Sequence, residues 1–221
     1  MKKLYWLLSF LLVCTSAQAA SKSCPGTVYF TDGRTMECIS ITIPGWIDAE
    51  VSVTTLTEGK KQAFKIKAGE IVRLELWDGK NPDTKTDMYG VPFIKEKGRK
   101  RIPAARWMTP VSEGEHVRFF TRYQMYKMSG KGLVGIVNGK INATEPEAFF
   151  WRPGEEKPVY LGEYMWFQYS DRKMKELIEK HFADDPVLLE QIHKRRWLNK
   201  ENGGVFGLFA YVTEHYNPQR K

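Results

Sequence analysis

The chain carries four histidines, His116, His181, His193 and His215, and three cysteines, Cys14, Cys24 and Cys38. Structural and catalytic zinc sites need three or four N or S ligands held close together. No two of these histidines stand three or four residues apart and no Cys-x-x-Cys exists, so His181, His193 and His215 meet only if three tail segments converge. The acid-rich stretch Asp78 to Asp87 lacks the Asp-x-Asp-x-Asp-Gly frame of a calcium loop. The expectation is no metal and no cofactor. Nucleophilic chemistry also lacks its residues, with no Gly-x-Ser-x-Gly elbow, and Gly130-Lys131-Gly132 lacks the Lys-Ser/Thr of a phosphate loop. Glycoside hydrolysis uses two carboxylates at a defined separation across a cleft. Glu113, Glu115, Glu145, Glu147 and Glu163 are candidates in type, but spacing along the chain does not set their distance, and no catalytic residue is assigned.

What the residue types do offer is surface for binding. Trp46, Trp77, Trp107, Trp151, Trp166 and Trp197 are accompanied by Phe149-Phe150, Tyr160, Tyr164 and Tyr169. Core packing is the commoner fate of such rings. The alternative is an open platform on which sugar rings stack, for which the candidates are Trp107, Trp151 and Trp166. The basic run Lys95 to Arg101 could contact acidic sugars through Lys97, Arg99 and Arg101. A second basic cluster, Lys194-Arg195-Arg196, reads as solvated helix surface.

Residues 1 to 19 form the three parts of a signal peptide: Lys2-Lys3, an apolar run from Leu4 to Val13, and Ala17-Gln18-Ala19 as a small-residue cleavage site. The expectation is export to the periplasm or exterior, with lipid anchoring at Cys14 as a minor alternative because Val13 is large for such a site. Removing the leader leaves 202 of 221 residues and lowers the formal charge from +8 to +6. No later stretch is apolar enough to cross a membrane, and without a recognition motif the charge does not indicate nucleic acid. Cys24 and Cys38 remain, and in an oxidising compartment such a pair is expected to form a disulfide.

These residues need elements to position them. From Thr27 to about Tyr169 apolar residues recur with a period near two, which predicts antiparallel strands. Asp32-Gly33 and Glu58-Gly59 read as turns between strands at Val28 to Phe30, Thr35 to Ile43, Ala49 to Leu56 and Gln62 to Lys67, and a further strand is predicted at Glu70 to Trp77. Residues 78 to 104 read as a long excursion with one short strand near Val91 to Ile94. Strands resume at Arg106-Trp107, Glu115 to Met128, Leu133 to Val137, Ala148 to Arg152 and Val159 to Gln168.

At Ser170 the period becomes helical. Ser170 or Asp171 caps a helix bearing Met174, Leu177, Ile178 and Phe182. Asp184 caps a second, with Pro186 in its first turn, and Val205, Phe209, Val212 and Tyr216 fit a third, although Phe206 and Leu208 also allow a strand. The expected fold is α+β, mainly antiparallel β (sandwich or barrel-like), followed by two or three helices. The expected division is a signal peptide over 1–19, a β-rich domain over 20–169 and a helical segment over 170–221 packed on it.

The opening Gly26-Thr27-Val28-Tyr29-Phe30-Thr31-Asp32-Gly33 and the tail Phe182-Ala183-Asp184-Asp185-Pro186-Val187-Leu188, ending in His215-Tyr216-Asn217, resemble uncharacterised secreted β-rich proteins of Bacteroidetes-type bacteria. Tails of that kind often carry Cys where this chain has Asp185. The resemblance implies a bacterial envelope setting and transfers no catalytic residue. Function is therefore expected to be non-enzymatic binding of an envelope macromolecule, glycan or protein. Glycan binding through exposed aromatics is the alternative, and a hydrolase with dispersed carboxylates the second.

Overall fold

The computed structural model describes residues 23–45, 48–97, 100–123, 125–129, 131–137, 140–141, 147–163, 170–198 and 201–220. The leader, Trp46, Arg99, Glu145 and the stretch Tyr164 to Tyr169 with Trp166 lie outside them. In chain order the elements are β1 Ser23–Phe30, β2 Thr35–Thr42, β3 Glu50–Thr57, β4 Lys60–Lys67, β5 Ile71–Asp78, β6 Asn81–Lys97, β7 Lys100–Glu113, β8 Arg118–Arg122, β9 Met125–Ser129, β10 Gly132–Val137, β11 Lys140–Ile141, β12 Glu147–Trp151 and β13 Val159–Glu163. Among the described residues three helices follow, α1 Asp171–His181, α2 Pro186–His193 and α3 Gly204–His215. Ten strands form one antiparallel sheet in the order β13-β12-β8-β7-β6-β5-β1-β2-β3-β4, and β11-β10-β9 form a second sheet of three. The fold is mainly antiparallel β with a helical tail.

Glu58-Gly59 is a two-residue hairpin turn with both residues at positive φ, 51° and 76°, a conformation whose twist matches the flanking strands. Asp32-Gly33 sits in a longer loop, where Gly33 alone takes a positive φ, of 86°. The outermost strand β4 carries Lys60, Lys61, Lys65 and Lys67, charges that discourage further pairing at an open edge.

The region 78 to 104 corrects the expected loop. It is an extended hairpin, with β6 and β7 paired from Tyr89↔Met108 out to Lys97↔Lys100. Its outer end, Lys95-Glu96-Lys97 against Lys100-Arg101, has little apolar content in sequence, so no period-two apolar signal is left to read. The expected strand Glu115 to Met128 is instead two, β8 in the large sheet and β9 in the small one. Asp185, not Asp184, caps α2, its carboxylate accepting from the Leu188 amide at 3.0 Å. Ser170 caps α1, and Phe206 lies within a helix.

Residues of alternating parity split the large sheet into two faces. On the inner face, Val28, Ile41, Leu74, Leu76, Met88 and Trp107 pack beneath Tyr126 and Met128 of the small sheet. Farther along the same face, Phe119, Ala148 and Phe150 pack against Met174, Ile178, Leu188, Phe209 and Val212 of the three helices. Gly114 permits the close approach of α3: a Cβ there would stand 2.5 Å from the Thr213 carbonyl oxygen. A smaller buried group, Val91, Met108, Phe120 and Phe149, lies on the outer face beneath Tyr89 and Trp151.

Cys24 and Cys38 are both buried and both free thiols, so the expected bridge is not made. Register gives the reason. Ile41 stands opposite Cys24 and Gly26 stands opposite Cys38, with an irregularity between, so the two cysteines are offset along neighbouring strands. Diagonal neighbours are separated by about 7–8 Å, beyond the reach of a relaxed disulfide. Burial pushes the Cys24 thiol up to about 12 and the Cys38 thiol up to about 11.

Candidate functional site

The structure disperses the aromatic and basic residues that the sequence nominates. Trp107 has 0% of its surface exposed, and its indole N–H donates to the Asp48 carbonyl at 3.0 Å, so it is a core residue that cannot stack a sugar. Trp151 is half-buried on the outer face, with its N–H donating to the Glu155 carbonyl at 2.9 Å. Lys97 and Arg101 belong to the far end of the β6–β7 hairpin, where Lys97 pairs with Lys100 and Glu96 with Arg101. Trp151 stands opposite Arg118, which stands opposite Glu113, at the other end of β7. Thirteen residues of strand separate Lys100 from Glu113, roughly 40 Å of extended chain. Basic run and indole do not share a site.

A groove of about 520 Å³ does form on the outer face, where β1, β2, β3, β5 and β6 present Thr27, Glu37, Ile39, Leu56, Trp77 and Lys85. Leu56 is 57% and Ile39 43% exposed, an apolar floor left open to water. Trp77 is half-buried, with the Lys85 ammonium 5.5 Å from its ring centroid. Lys85 in turn lies 3.3 Å from Glu75. Trp107, Trp151 and Trp197 tie their indole N–H groups to backbone carbonyls, whereas the indole N–H of Trp77 bonds to nothing among the described residues. It thus offers an apolar plate and an uncommitted donor side by side. A parity signal for it was present in the sequence: Leu74 and Leu76 alternate with Arg73, Glu75 and Trp77, which sends the indole to the polar face.

The outer face continues across the sheet as a row of paired charges and rings. Arg73 holds Asp87 at 2.7 Å with its guanidinium 3.8 Å from the Tyr29 centroid. Arg122 holds Glu147 at 2.8 Å. Tyr89 donates its hydroxyl to Glu113 at 2.6 Å, and burial together with that carboxylate raises its ionisation well above the ordinary phenol range.

A second recess, of about 440 Å³, lies where the tail meets the sheet and is lined by Glu115, His116, Arg152, Asp184 and Tyr216 among others. Tyr216, Asp184 and Arg152 are committed to partners within the fold. Tyr216 donates to Asp184 at 2.6 Å, and burial and that carboxylate push the phenol up to about 12. Arg152 lies over Phe150, Phe182 and Tyr216, with its guanidinium donating to the His181 carbonyl and to Glu155. Burial, with Lys180 and Arg152 nearby, lowers the pKa of His181. This recess fastens the tail to the sheet.

Two of the remaining carboxylate candidates are engaged by other side chains. Glu113 accepts from Tyr89, Glu147 pairs with Arg122, and Glu115 belongs to the tail recess. Glu163 is the register partner of Glu147. Among the described residues no group of three His, Cys, Asp or Glu side chains is placed to hold a metal ion, and no helix is long and apolar enough to cross a membrane. Compared with known proteins, the chain matches no family model, and no curated protein and no solved structure matches it.

Proposed function

We propose that the protein is an exported, non-catalytic binding module of the bacterial envelope or exterior, and that it holds a glycan in the groove around Trp77. The observation that carries this reading is the unpartnered indole of Trp77 in an open groove, flanked by Thr27, Glu37 and Lys85. A sugar presents an apolar C–H face to stack on a ring and hydroxyls around its rim that need donors and acceptors. The groove supplies both. The leader over residues 1 to 19 supports export.

Calorimetric titration with a panel of envelope and extracellular oligosaccharides tests the assignment. Binding that Trp77→Ala weakens by tenfold or more, and Trp77→Phe by much less, supports it. Binding indifferent to Trp77, or turnover of a bound oligosaccharide, overturns it. The exposed side chains of Ile39 and Leu56 favour a second reading, an apolar protein segment in the same groove. Loss of partner-protein binding in Leu56→Asp, with sugar binding absent, would establish that reading instead.

A further inference from the structure

Arg118 lies three strands from Trp77 on the same face of the sheet. Neighbouring Val117 and Phe119 are fully buried on the inner face, so alternation turns Arg118 outward. Its situation differs from that of Arg73 and Arg122 on the same face. Arg73 and Arg122 each hold a carboxylate within 3 Å, Asp87 at 2.7 Å and Glu147 at 2.8 Å. Among the described residues the Arg118 side chain has neither a hydrogen bond nor an ion pair, and its guanidinium carbon lies 5.4 Å from the Tyr89 ring centroid.

Glu113 faces Arg118 in register and would be the obvious counter-ion, but its Oε2 accepts the Tyr89 hydroxyl instead. The Arg118 Nε is buried without a hydrogen-bond partner, and no carboxylate among the described residues is bonded to the guanidinium. On the other side, Trp151 is its register partner. A guanidinium lying over a phenol ring, with Trp151 as its register neighbour and no carboxylate bonded to it, is suited to receive a planar anion, since the guanidinium fork matches a carboxylate with two parallel hydrogen bonds.

We propose that Arg118, with Tyr89 and Trp151, forms a subsite for the carboxylate of an acidic sugar, so that the ligand is an oligosaccharide of the uronic-acid class. This rests on the glycan reading of the Trp77 groove and extends it. Strand β6 joins the two places, because Lys85, Asp87 and Tyr89 share its outer face, with Lys85 at the Trp77 ring and Tyr89 at Arg118. Four residues of strand cover about 13 Å, too far for a single sugar to touch both. Charge complementarity favours an anion: the chain carries 34 Lys and Arg against 26 Asp and Glu.

The test is calorimetric titration of the full-length mature protein with uronate oligosaccharides (galacturonate, glucuronate and mannuronate types), each beside its carboxyl-reduced counterpart. The expected result is at least tenfold tighter binding of the carboxylated member of one pair. Arg118→Gln should abolish that preference, so that the two members of the pair bind with equal affinity. Glu113→Gln, which removes the competing acid, should preserve or strengthen the preference. Trp77→Ala should weaken both members of the pair equally.

Equal binding of both members, still dependent on Trp77, overturns the Arg118 subsite and leaves the groove intact. A carboxylate preference that survives Arg118→Gln overturns it as well. No binding to any sugar of the panel overturns both. Circular dichroism and the urea-unfolding midpoint of each variant separate lost binding from lost folding.

Discussion

The two faces of the ten-stranded sheet use the same residue types to different ends. On the inner face Trp107 gives its N–H to a backbone carbonyl, and toward the helical tail Arg152 is boxed in by Phe150, Phe182 and Tyr216 with its guanidinium bonded. On the outer face Trp77 lacks an acceptor and Arg118 lacks an acid. The Trp77 N–H borders an open groove and is under no pressure to find a partner, whereas the buried Arg118 Nε goes without one at a cost in free energy. Partner accounting, rather than the presence of a tryptophan or an arginine, separates cohesion from recognition here.

The contrast breaks if inner and outer substitutions cost the same. The largest loss is expected at Phe119, which stacks on Phe209 with centroids 4.4 Å apart and lies 6.1 Å from both Phe150 and Phe182. Phe119→Ala opens a cavity between sheet and helices and should cost about 3–5 kcal/mol, read from urea denaturation. A loss below about 1 kcal/mol would mean that the tail does not depend on this face. Trp107→Phe comes next at about 2–3 kcal/mol, combining lost ring volume with the orphaned Asp48 carbonyl.

Asp185 sharpens the same point at the end of the chain. It is 0% exposed, caps α2, accepts from the Asn217 amide at 2.9 Å and meets Arg220 at 2.8 Å. Burial alone would raise its pKa, but the guanidinium of Arg220 and the amides of Leu188 and Asn217 outweigh it and hold the carboxyl below its usual 3.8. A carboxyl depressed in the folded state stabilises above its unfolded pKa, and that contribution is lost as pH falls through the folded value. Asp185→Asn should therefore cost about 2 kcal/mol at neutral pH, through the lost cap and pair. The gap between variant and parent in thermal midpoint should narrow below about pH 4. A gap independent of pH would assign the effect to packing instead.

How much of this was legible in the sequence follows from where alternation survives. In β5, Leu74 and Leu76 alternate with Arg73, Glu75 and Trp77, so strand, register and outward indole can all be read. Past β6's midpoint, Lys95-Glu96-Lys97 and their partners carry no apolar alternation, and only the ladder reveals a hairpin. Helix starts were visible because Ser170 and Pro186 act locally, while the cap's exact residue depended on Asp185 finding Arg220, 35 positions away. Arg118 was invisible as a site. Only tertiary structure shows that Glu113 is turned toward Tyr89, and neither spacing nor residue type encodes such a competition. The cysteine pair failed for a related reason, since proximity of strands is predictable but an irregularity that offsets register is not.

The smallest expected effect is the most discriminating. Trp77→Phe is the same chemical change as Trp107→Phe, made on the opposite face of the same sheet. Because the Trp77 N–H bonds to nothing among the described residues and its ring borders open water, the exchange orphans no carbonyl and seals no cavity. Stability should stay within about 0.5 kcal/mol of the parent. Matched urea titrations of the two variants read the difference directly, and a gap of about 2 kcal/mol between them is the signature of one indole serving the core and the other facing a ligand. Should both variants fall equally, Trp77 would be a packing residue, and the groove would lose the free donor on which its reading as a binding site depends.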